Sequence, residues 1–511
     1  MVGNAASWFI DRHIGEGRGE KTAFREVSGL QRNLSYAELF EQSNRLAGAL
    51  QRCAIKRSER AAMFVLDQIE FPIIFWGALK AGVVPVAVNT LLSTDVYCTI
   101  LEDCTASVVF VSSELAGTVM PAIRASNSVK LVVVIGGDSV DNTTTWSLFT
   151  EHADPLSTLS CNDQDIAFWL YSSGSTGAPK GVRHQHQALR YTCDTYASLV
   201  LGIKETDIVF SAAKLFFAYG LGNGMSFPLS VGATGLLLNT RPTPDSVTDI
   251  LEQHQPDIYF GVPTLYAALL QKWRADPPQL ADSLRVCVSA GEALPEEIGS
   301  QWKSLTNVDI IDGVGSTEML HIFLSNQIQD IKYGTSGVAV PGYDLRLVNE
   351  QGADVKSGEL GELLVRGNSS ASDYWNKPEK TQITFEGDWT RTGDKYETME
   401  DGRYLYCGRT DDMFKVSGIW VSPFEVEQAL IAHPAILEAA VVSHDDDSGL
   451  KKPKAYVVLS QGHTSSELDG LTDFVKDKIG KWKYPRWVEI VDDLPKTSTG
   501  KIQRFKLRSD A

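Results

Sequence analysis

The stretch Tyr171-Ser172-Ser173-Gly174-Ser175-Thr176-Gly177-Ala178-Pro179-Lys180-Gly181 decides how the rest of the chain is read. It follows an apolar, strand-like segment from Ala167 to Leu170 and is almost entirely small, hydroxylated or glycine, with one lysine near its end. Glycines let a backbone fold tightly and turn its N–H groups toward an anion, while Ser and Thr hydroxyls add donors. Lys180 supplies a point positive charge. In chemical terms this is a phosphate cradle. A flexible surface loop is the bland alternative; the strand before the stretch and the lysine after it count against that reading. It is not a Walker A loop, because Pro179 stands where that motif needs glycine and Gly181 follows the lysine in place of Ser or Thr. The stretch points to a nucleotide and away from P-loop kinases and GTPases.

Bulk properties bound the remaining possibilities. A chain of 511 residues exceeds one ordinary core and splits into at least two domains. Hydrophobic content of 43% and charged content of 22% describe a soluble globular protein. A net charge of −17 argues against nucleic acid, whose phosphates demand basic surface. An anionic ligand must be met by a few local Lys, Arg and N–H groups. The seven cysteines are odd in number and never CxxC, which suits buried thiols in a reducing cytosol better than a disulfide or zinc framework. The N-terminus turns charged too soon for a secretory signal, and the apolar stretch 71–88 is interrupted by Lys80, Gly82 and Pro85. It reads as a buried helix followed by a strand, and a cytoplasmic location is expected.

From about residue 60 the sequence alternates β-branched runs with helix-length segments. Strands are expected over 61–66, 108–111, 131–135, 208–212, 235–238, 258–262, 286–290 and 308–311, with helices over 245–254 and 263–272. That alternation predicts α/β with largely parallel sheets. After residue 340 the pattern changes to glycine-punctuated short strands at 344–349 and 361–367, a small antiparallel subdomain. Beyond the charged turn Gly408-Arg409-Thr410-Asp411-Asp412 lies a compact unit with a helix at 424–432 and strands at 436–442 and 454–459. A second helix is expected over 466–479, with Thr464 and Glu467 at capping-box spacing and Leu468, Leu471, Val475 and Ile479 on one face.

Further motifs follow the first in order: Gly315-Ser316-Thr317-Glu318, Gly361-Glu362-Leu363-Leu364-Val365-Arg366-Gly367, Trp389-Thr390-Arg391-Thr392-Gly393-Asp394, Gly408-Arg409-Thr410-Asp411-Asp412 with Lys415 and Gly418, and Lys496-Thr497-Ser498-Thr499-Gly500-Lys501. Their order and spacing resemble the adenylate-forming superfamily of acyl-CoA synthetases, nonribosomal adenylation domains and beetle luciferases, from about residue 20 to 508. The resemblance implies an α/β fold. Its large N-terminal domain, 1–408, would hold two α/β subdomains plus a small β-barrel-like subdomain, joined by a hinge at 409–411 to a small mobile α+β C-terminal domain, 412–511.

Roles follow from the resemblance. Ser173, Gly174, Ser175, Thr176, Gly177 and Lys180 would steady the β- and γ-phosphates of ATP, and Glu318 would help hold Mg2+, an ion that favours carboxylate and phosphate oxygen. Thr317 would hydrogen-bond the α-phosphate, with Ser316 and Gly313 also on the nucleotide. Asp394 would take both ribose hydroxyls, helped by Arg409, while Ala290, Gly291, Glu292 and Asp312 would line the adenine slot. Lys501 would bridge the attacking carboxylate and the α-phosphate and stabilise the charge that builds there. The C-terminal domain would turn about Asp411, bringing Lys415 and Gly418 to the coenzyme A channel. Val314 departs from the wider superfamily, where an aromatic residue stacks on adenine. His184 and His186, at i and i+2, have no third ligand nearby in sequence, and a metal pair there is the minor reading.

The stretches 214–222 and 319–323 resemble the benzoate-CoA ligase branch. By that likeness Phe217, Ala218, Tyr219, Gly315, His321 and Ile322 would wall a flat aryl pocket, with His321 meeting either the carboxylate or a ring substituent. Phe217, Tyr219 and His321 could equally be core residues. Which benzoate-type acid is taken, whether benzoate, hydroxybenzoate or aminobenzoate, is not readable. The implied reaction forms acyl-AMP and then a CoA thioester. Two alternatives share its first half: loading of an aryl acid onto a separate carrier protein, and a luciferase-like oxygenase.

Overall fold

The computed structural model describes residues 3–138, 142–173, 179–274, 277–416, 419–446, 450–480, 483–496 and 502–509. Two large, mostly parallel sheets form its bulk. In the first, strands Ile166–Ser173, Val84–Ala87, Arg60–Phe64, Val108–Ser112 and Leu131–Ile135 run parallel, extended by antiparallel Pro179–Gln185 and Asp373–Tyr374 at one edge. In the second, Ile310–Gly315, Val286–Ala290, Ile258–Gly261, Ile208–Ser211, Thr234–Leu237 and Thr22–Glu26 run parallel. Strand alternation sends Ala61 and Met63 into a core that both sheets share, and Ala62 and Phe64 into a second core on the outer face. In the other sheet Val288 and Ile311 join the shared core, whereas Cys287 and Ile310 join a third core. Burial on both faces is what a parallel sheet requires, and it explains why these strands read as unbroken apolar runs.

Helices Tyr36–Arg52 and Glu70–Lys80 contribute to the shared core. The first is started by a capping box, with Ser35 accepting from the Glu38 amide and Glu38 accepting from the Ser35 amide. The second accounts for most of the apolar stretch expected to be a buried helix, and strand Val84–Ala87 follows it. Its Lys80 is fully buried and bonds Asp11 and Asn44, each at 2.7 Å, so a charge interrupts the apolar run without disturbing the fold. No described helix is long and apolar enough to cross a membrane.

A five-stranded antiparallel sheet follows, built on Asp344–Val348, Gly361–Arg366, Phe385–Glu386, Trp389–Thr398 and Tyr404–Arg409. Between 366 and 385 the chain leaves this sheet. It adds Asp373–Tyr374 to the edge of the first large sheet, pairing Tyr374 with Val182. Past residue 411, hairpin Phe414–Val416/Ile419–Val421, helix Pro423–Ile431 and strands Ile436–Asp445, Lys451–Leu459 and Trp487–Ile490 surround a core of their own, with Val426, Leu430, Val441, Val457 and Val475 at its centre.

Two expectations need correction. The helix expected over 466–479 is a short 3-10 turn, Ser465–Leu468, then an α-helix, Leu471–Ile479. Gly470 at φ 89° breaks the path between them, and the Thr464–Glu467 capping box starts the 3-10 turn. All seven cysteines are free, but only Cys104, Cys193, Cys287 and Cys407 are buried; Cys53 is exposed and Cys98 and Cys161 are half-buried.

Candidate active site

The described ends of the phosphate-cradle sequence lie on two paired strands. Strand Ile166–Ser173 pairs antiparallel with Pro179–Gln185, placing Ser172 opposite Lys180 and Tyr171 opposite Gly181. Gly174, Ser175, Thr176 and Gly177, and the side chain of Ser173, lie outside the described residues. The hairpin base carries the chemistry that is described. Lys180 Nζ lies 3.9 Å from Glu318 Oε1, and the Ser172 hydroxyl donates to the same oxygen at 3.3 Å. Burial pulls the Lys180 pKa down while the Glu318 carboxylate opposes that shift.

Glu318 and His321 leave one turn for different partners. Strand Ile310–Gly315 enters it, the Ser316 hydroxyl accepts the Met319 amide at 3.1 Å, and the Thr317 carbonyl accepts the Leu320 amide at 3.2 Å. Leu320 closes the turn at φ 65°, a left-handed conformation that a branched, buried side chain adopts only at a cost of about 1–3 kcal/mol. A Cβ on Gly315 would stand 2.6 Å from the His321 carbonyl oxygen, so glycine is required there by the closeness of the returning backbone, whatever room it leaves for a ligand.

His321 is 2% exposed and ringed by Tyr196, Tyr219 and Phe227, with centroids 5.4, 5.7 and 4.4 Å away. Its Nε2 meets Asn223 Oδ1 at 2.9 Å, and the Tyr219 carbonyl also faces the ring. With Asn223 Oδ1 as the acceptor, the proton sits on Nε2. Tyr219 donates its own hydroxyl to the Gly261 and Val288 carbonyls at 3.2 and 3.3 Å. Burial pushes the His321 pKa down to about 3, so the ring is neutral near pH 7. Its Nδ1 has no partner among the described residues. A neutral ring whose one N–H is engaged by Asn223 has no charge to offer a carboxylate; it presents a ring face and an acceptor. Ala218 is buried at the start of the same helical turn, Phe217 packs on Phe216 at 4.4 Å, and Ile322 follows His321 into the core.

The expected adenine residues lie on the second large sheet, and the expected ribose residues lie on the five-stranded sheet. Ala290 ends strand Val286–Ala290, Gly291 turns at φ 98°, and Glu292 Oε1 accepts the Ile502 amide at 3.0 Å, which ties the C-terminal segment to this edge. Asp312 pairs with Ser289 across the parallel strands and is turned inward at 4% exposure; burial raises its pKa well above the carboxylate range. Gly313 packs its backbone beside Ile322, and Val314 is half-buried against the shared core. Asp394 and Arg409 are cross-strand partners joined at 3.0 Å, and Asp394 raises the arginine pKa further. Asp411 is exposed in the turn that follows, and Lys415 lies over the Trp420 ring at 4.7 Å, its direct cross-strand neighbour. Gly418 and Lys501 lie outside the described residues.

His184 and His186 do not face one another as a ligand pair. The His184 ring stacks on Phe168 at 5.1 Å, whereas His186 Nδ1 accepts the Ala5 amide at 3.2 Å. Their pKa values are pushed down by burial to about 3 and about 4. Among the described residues no group of three or more His, Cys, Asp or Glu could hold a metal ion.

Sequence reasoning missed two polar residues at the site. Tyr374 donates to Glu318 Oε1 at 2.7 Å and accepts from Lys180 at 3.3 Å, and it arrives there only because residues 367–384 cross between sheets. Asn223 fixes the His321 tautomer, and its only sequence signal is a polar residue among glycines in 220–224.

Comparison with known proteins accounts for nearly the whole chain. Residues 11–375 match the AMP-binding enzyme family and residues 425–501 match the AMP-binding enzyme C-terminal domain. The chain is 51% identical over 509 residues to the 4-hydroxybenzoate-CoA/benzoate-CoA ligase of Rhodopseudomonas palustris, covering 99% of this chain and 94% of that one. It is 52% identical over 511 residues to the benzoate-CoA ligase of Thauera aromatica, covering 99% and 96%. The crystal structure of the anthranilate CoA ligase AuaEII in complex with anthranoyl-AMP superposes with a TM-score of 0.95 at 39% identity, covering 99% of this chain and 97% of that one. With the hairpin, the Glu318–His321 turn and the tethered C-terminal unit falling inside these matches, the chain belongs to the AMP-binding enzyme family.

Proposed function

We propose that this protein is an AMP-forming aryl-CoA ligase for a benzoate-type aromatic acid. In the first half-reaction a carboxylate oxygen attacks the α-phosphorus of ATP, the bond to the β-phosphate bridging oxygen breaks, and acyl-AMP and pyrophosphate form. In the second, the thiol sulfur of coenzyme A attacks the acyl carbon, the carbon–oxygen bond to phosphate breaks, and AMP leaves. The thiol proton passes to solvent. Adenylation makes the leaving group, so no side chain need act as a covalent nucleophile.

The observation that carries this reading is the turn 315–322. It sends Glu318 to Lys180 at the phosphate hairpin and His321 into an aromatic cage a few residues later. An anhydride between a phosphate and an aryl carboxylate needs those two environments side by side. Lys180 and the hairpin hydroxyls would steady the β- and γ-phosphates, Asp394 and Arg409 the ribose, and the Ala290–Glu292 edge with Asp312 the adenine. Phe217, Ala218, Tyr219, Gly315, His321 and Ile322 would wall the ring. Lys501 would neutralise charge building on the α-phosphate.

Mg2+ fits this donor set. The described contacts of the Glu318 carboxylate fall on Oε1, and a carboxylate beside the phosphate hairpin suits an ion that favours carboxylate and phosphate oxygen. Glu318 would hold the ion, which would draw charge from the phosphates. The C-terminal domain, from residue 412, would turn about 409–411 to bring Lys415 and Gly418 to the thiol channel, and the reducing cytoplasm is the compartment proposed. A panel of benzoates assayed for pyrophosphate and AMP release, with and without coenzyme A, tests the proposal. AMP formation that depends on coenzyme A supports it; pyrophosphate exchange without coenzyme A turnover would reassign the acceptor to a carrier protein.

A further inference from the structure

Lys180 and Glu318 carry opposite charges, are mostly buried, and nonetheless stand 3.9 Å apart, at the outer limit of an ion pair. The Tyr374 hydroxyl occupies the interval. It donates to Glu318 Oε1 at 2.7 Å and accepts from Lys180 Nζ at 3.3 Å, and the same ammonium lies 4.3 Å from the tyrosine ring centroid. A hydroxyl has one proton and two lone pairs, so between a carboxylate and an ammonium its polarity is fixed at both ends. The residue cannot easily move. Tyr374 is 4% exposed, is paired with Val182 at the sheet edge, donates its amide to Thr381 Oγ1 at 3.1 Å, and packs on Phe385 at 5.4 Å. Its oxygen is the one atom that bonds both charged groups.

An ammonium and a carboxylate held in low dielectric close on each other unless something intervenes. A closed pair neutralises itself and must be separated before the lysine can meet a phosphate or the carboxylate a cation. We propose that Tyr374 is a positioning residue that keeps Lys180 and Glu318 apart and available for the triphosphate. This rests on reading the hairpin base as the phosphate end of an AMP-forming ligase.

The test is Tyr374→Phe in the full chain, which keeps the packed ring and removes the oxygen. ATP affinity is titrated by intrinsic fluorescence with neither acid nor coenzyme A present, in Mg2+ and in EDTA, and benzoate affinity is titrated alongside. The expected result is ATP binding weakened about tenfold, the scale of losing hydrogen bonds to charged groups, with benzoate binding unchanged. Combining Tyr374→Phe with Glu318→Gln should weaken ATP binding less than the sum of the two single changes, because the pair no longer closes. Unchanged ATP affinity overturns the proposal, and so does equal weakening toward ATP and benzoate, which marks general loosening. If Lys180→Met and Glu318→Gln each bind ATP as tightly as the parent, the assignment of the phosphate end fails first and takes the spacer role with it.

Discussion

The two ends of the Glu318–His321 turn solve opposite problems. At the hairpin end, charges are held near one another and kept apart by a neutral hydroxyl, so they stay ready for a charged ligand. At the aromatic end the groups are neutral, His321 buried and Tyr219 half-buried, and polarity survives as a relay in which backbone carbonyls take the Tyr219 proton and Asn223 takes that of His321. The contrast teaches how one site can bind a polyphosphate and a flat ring a few residues apart. Charge is stored where the ligand brings counter-charge, and is excluded where the ligand brings apolar surface.

The comparison breaks most visibly at the charged end. Glu318→Gln and Lys501→Ala should each slow pyrophosphate formation about a hundredfold to a thousandfold, the scale of losing a preorganised transition-state donor. Thioester formation from preformed benzoyl-AMP should change far less for Lys501→Ala. Quenched-flow measurement of the two half-reactions separates these outcomes, and equal losses in both would erase the distinction.

A smaller effect is expected at the neutral end. His321→Ala should shift the ratio of kcat/KM between benzoate and its amino or hydroxy derivatives by about tenfold, with KM for ATP unchanged, since contacts to one small ring substituent carry limited discrimination. An unchanged acid profile would make His321 a core residue. The smallest effect is on stability. His184 and His321 have pKa values near 3 in the fold against 6.5 ordinarily. Between pH 6.5 and 3 the unfolded chain therefore binds protons that the fold refuses, and stability falls as pH falls. Each buried ring contributes a slope of roughly 1.4 kcal/mol per pH unit in that window. His184→Phe, which keeps a ring against Phe168, should flatten the decline in melting temperature between pH 6.5 and 5; an unaltered pH profile would show that His184 does not titrate differently on unfolding.

Much of this was legible in the sequence, for identifiable reasons. Strands such as Val286–Ala290 and Leu131–Ile135 are buried on both faces, so their apolar runs have sharp ends. Lys180, Glu318, Asp394 and Arg409 each sit in a short motif, and the fold brings Lys180 to Glu318 and Asp394 to Arg409. Tyr374 was not readable, since its role depends on a crossing between two sheets that no local pattern records. Asn223 was hidden for a similar reason: its partner lies 98 residues away. The helix expected over 466–479 was over-extended because an apolar face continues across Gly470, and periodicity ignores a backbone that turns left-handed. Asp312 and Val314 lie two residues apart on the strand that leads into the turn, Asp312 buried and Val314 half-buried.

The most direct test of the chemistry follows an oxygen atom. Benzoate labelled with heavy oxygen in its carboxylate is turned over with ATP and coenzyme A, and the released AMP is weighed by mass spectrometry. Attack by the carboxylate on the α-phosphorus predicts AMP carrying one labelled oxygen and pyrophosphate carrying none. Unlabelled AMP, with label in pyrophosphate or orthophosphate, would contradict an acyl-AMP intermediate.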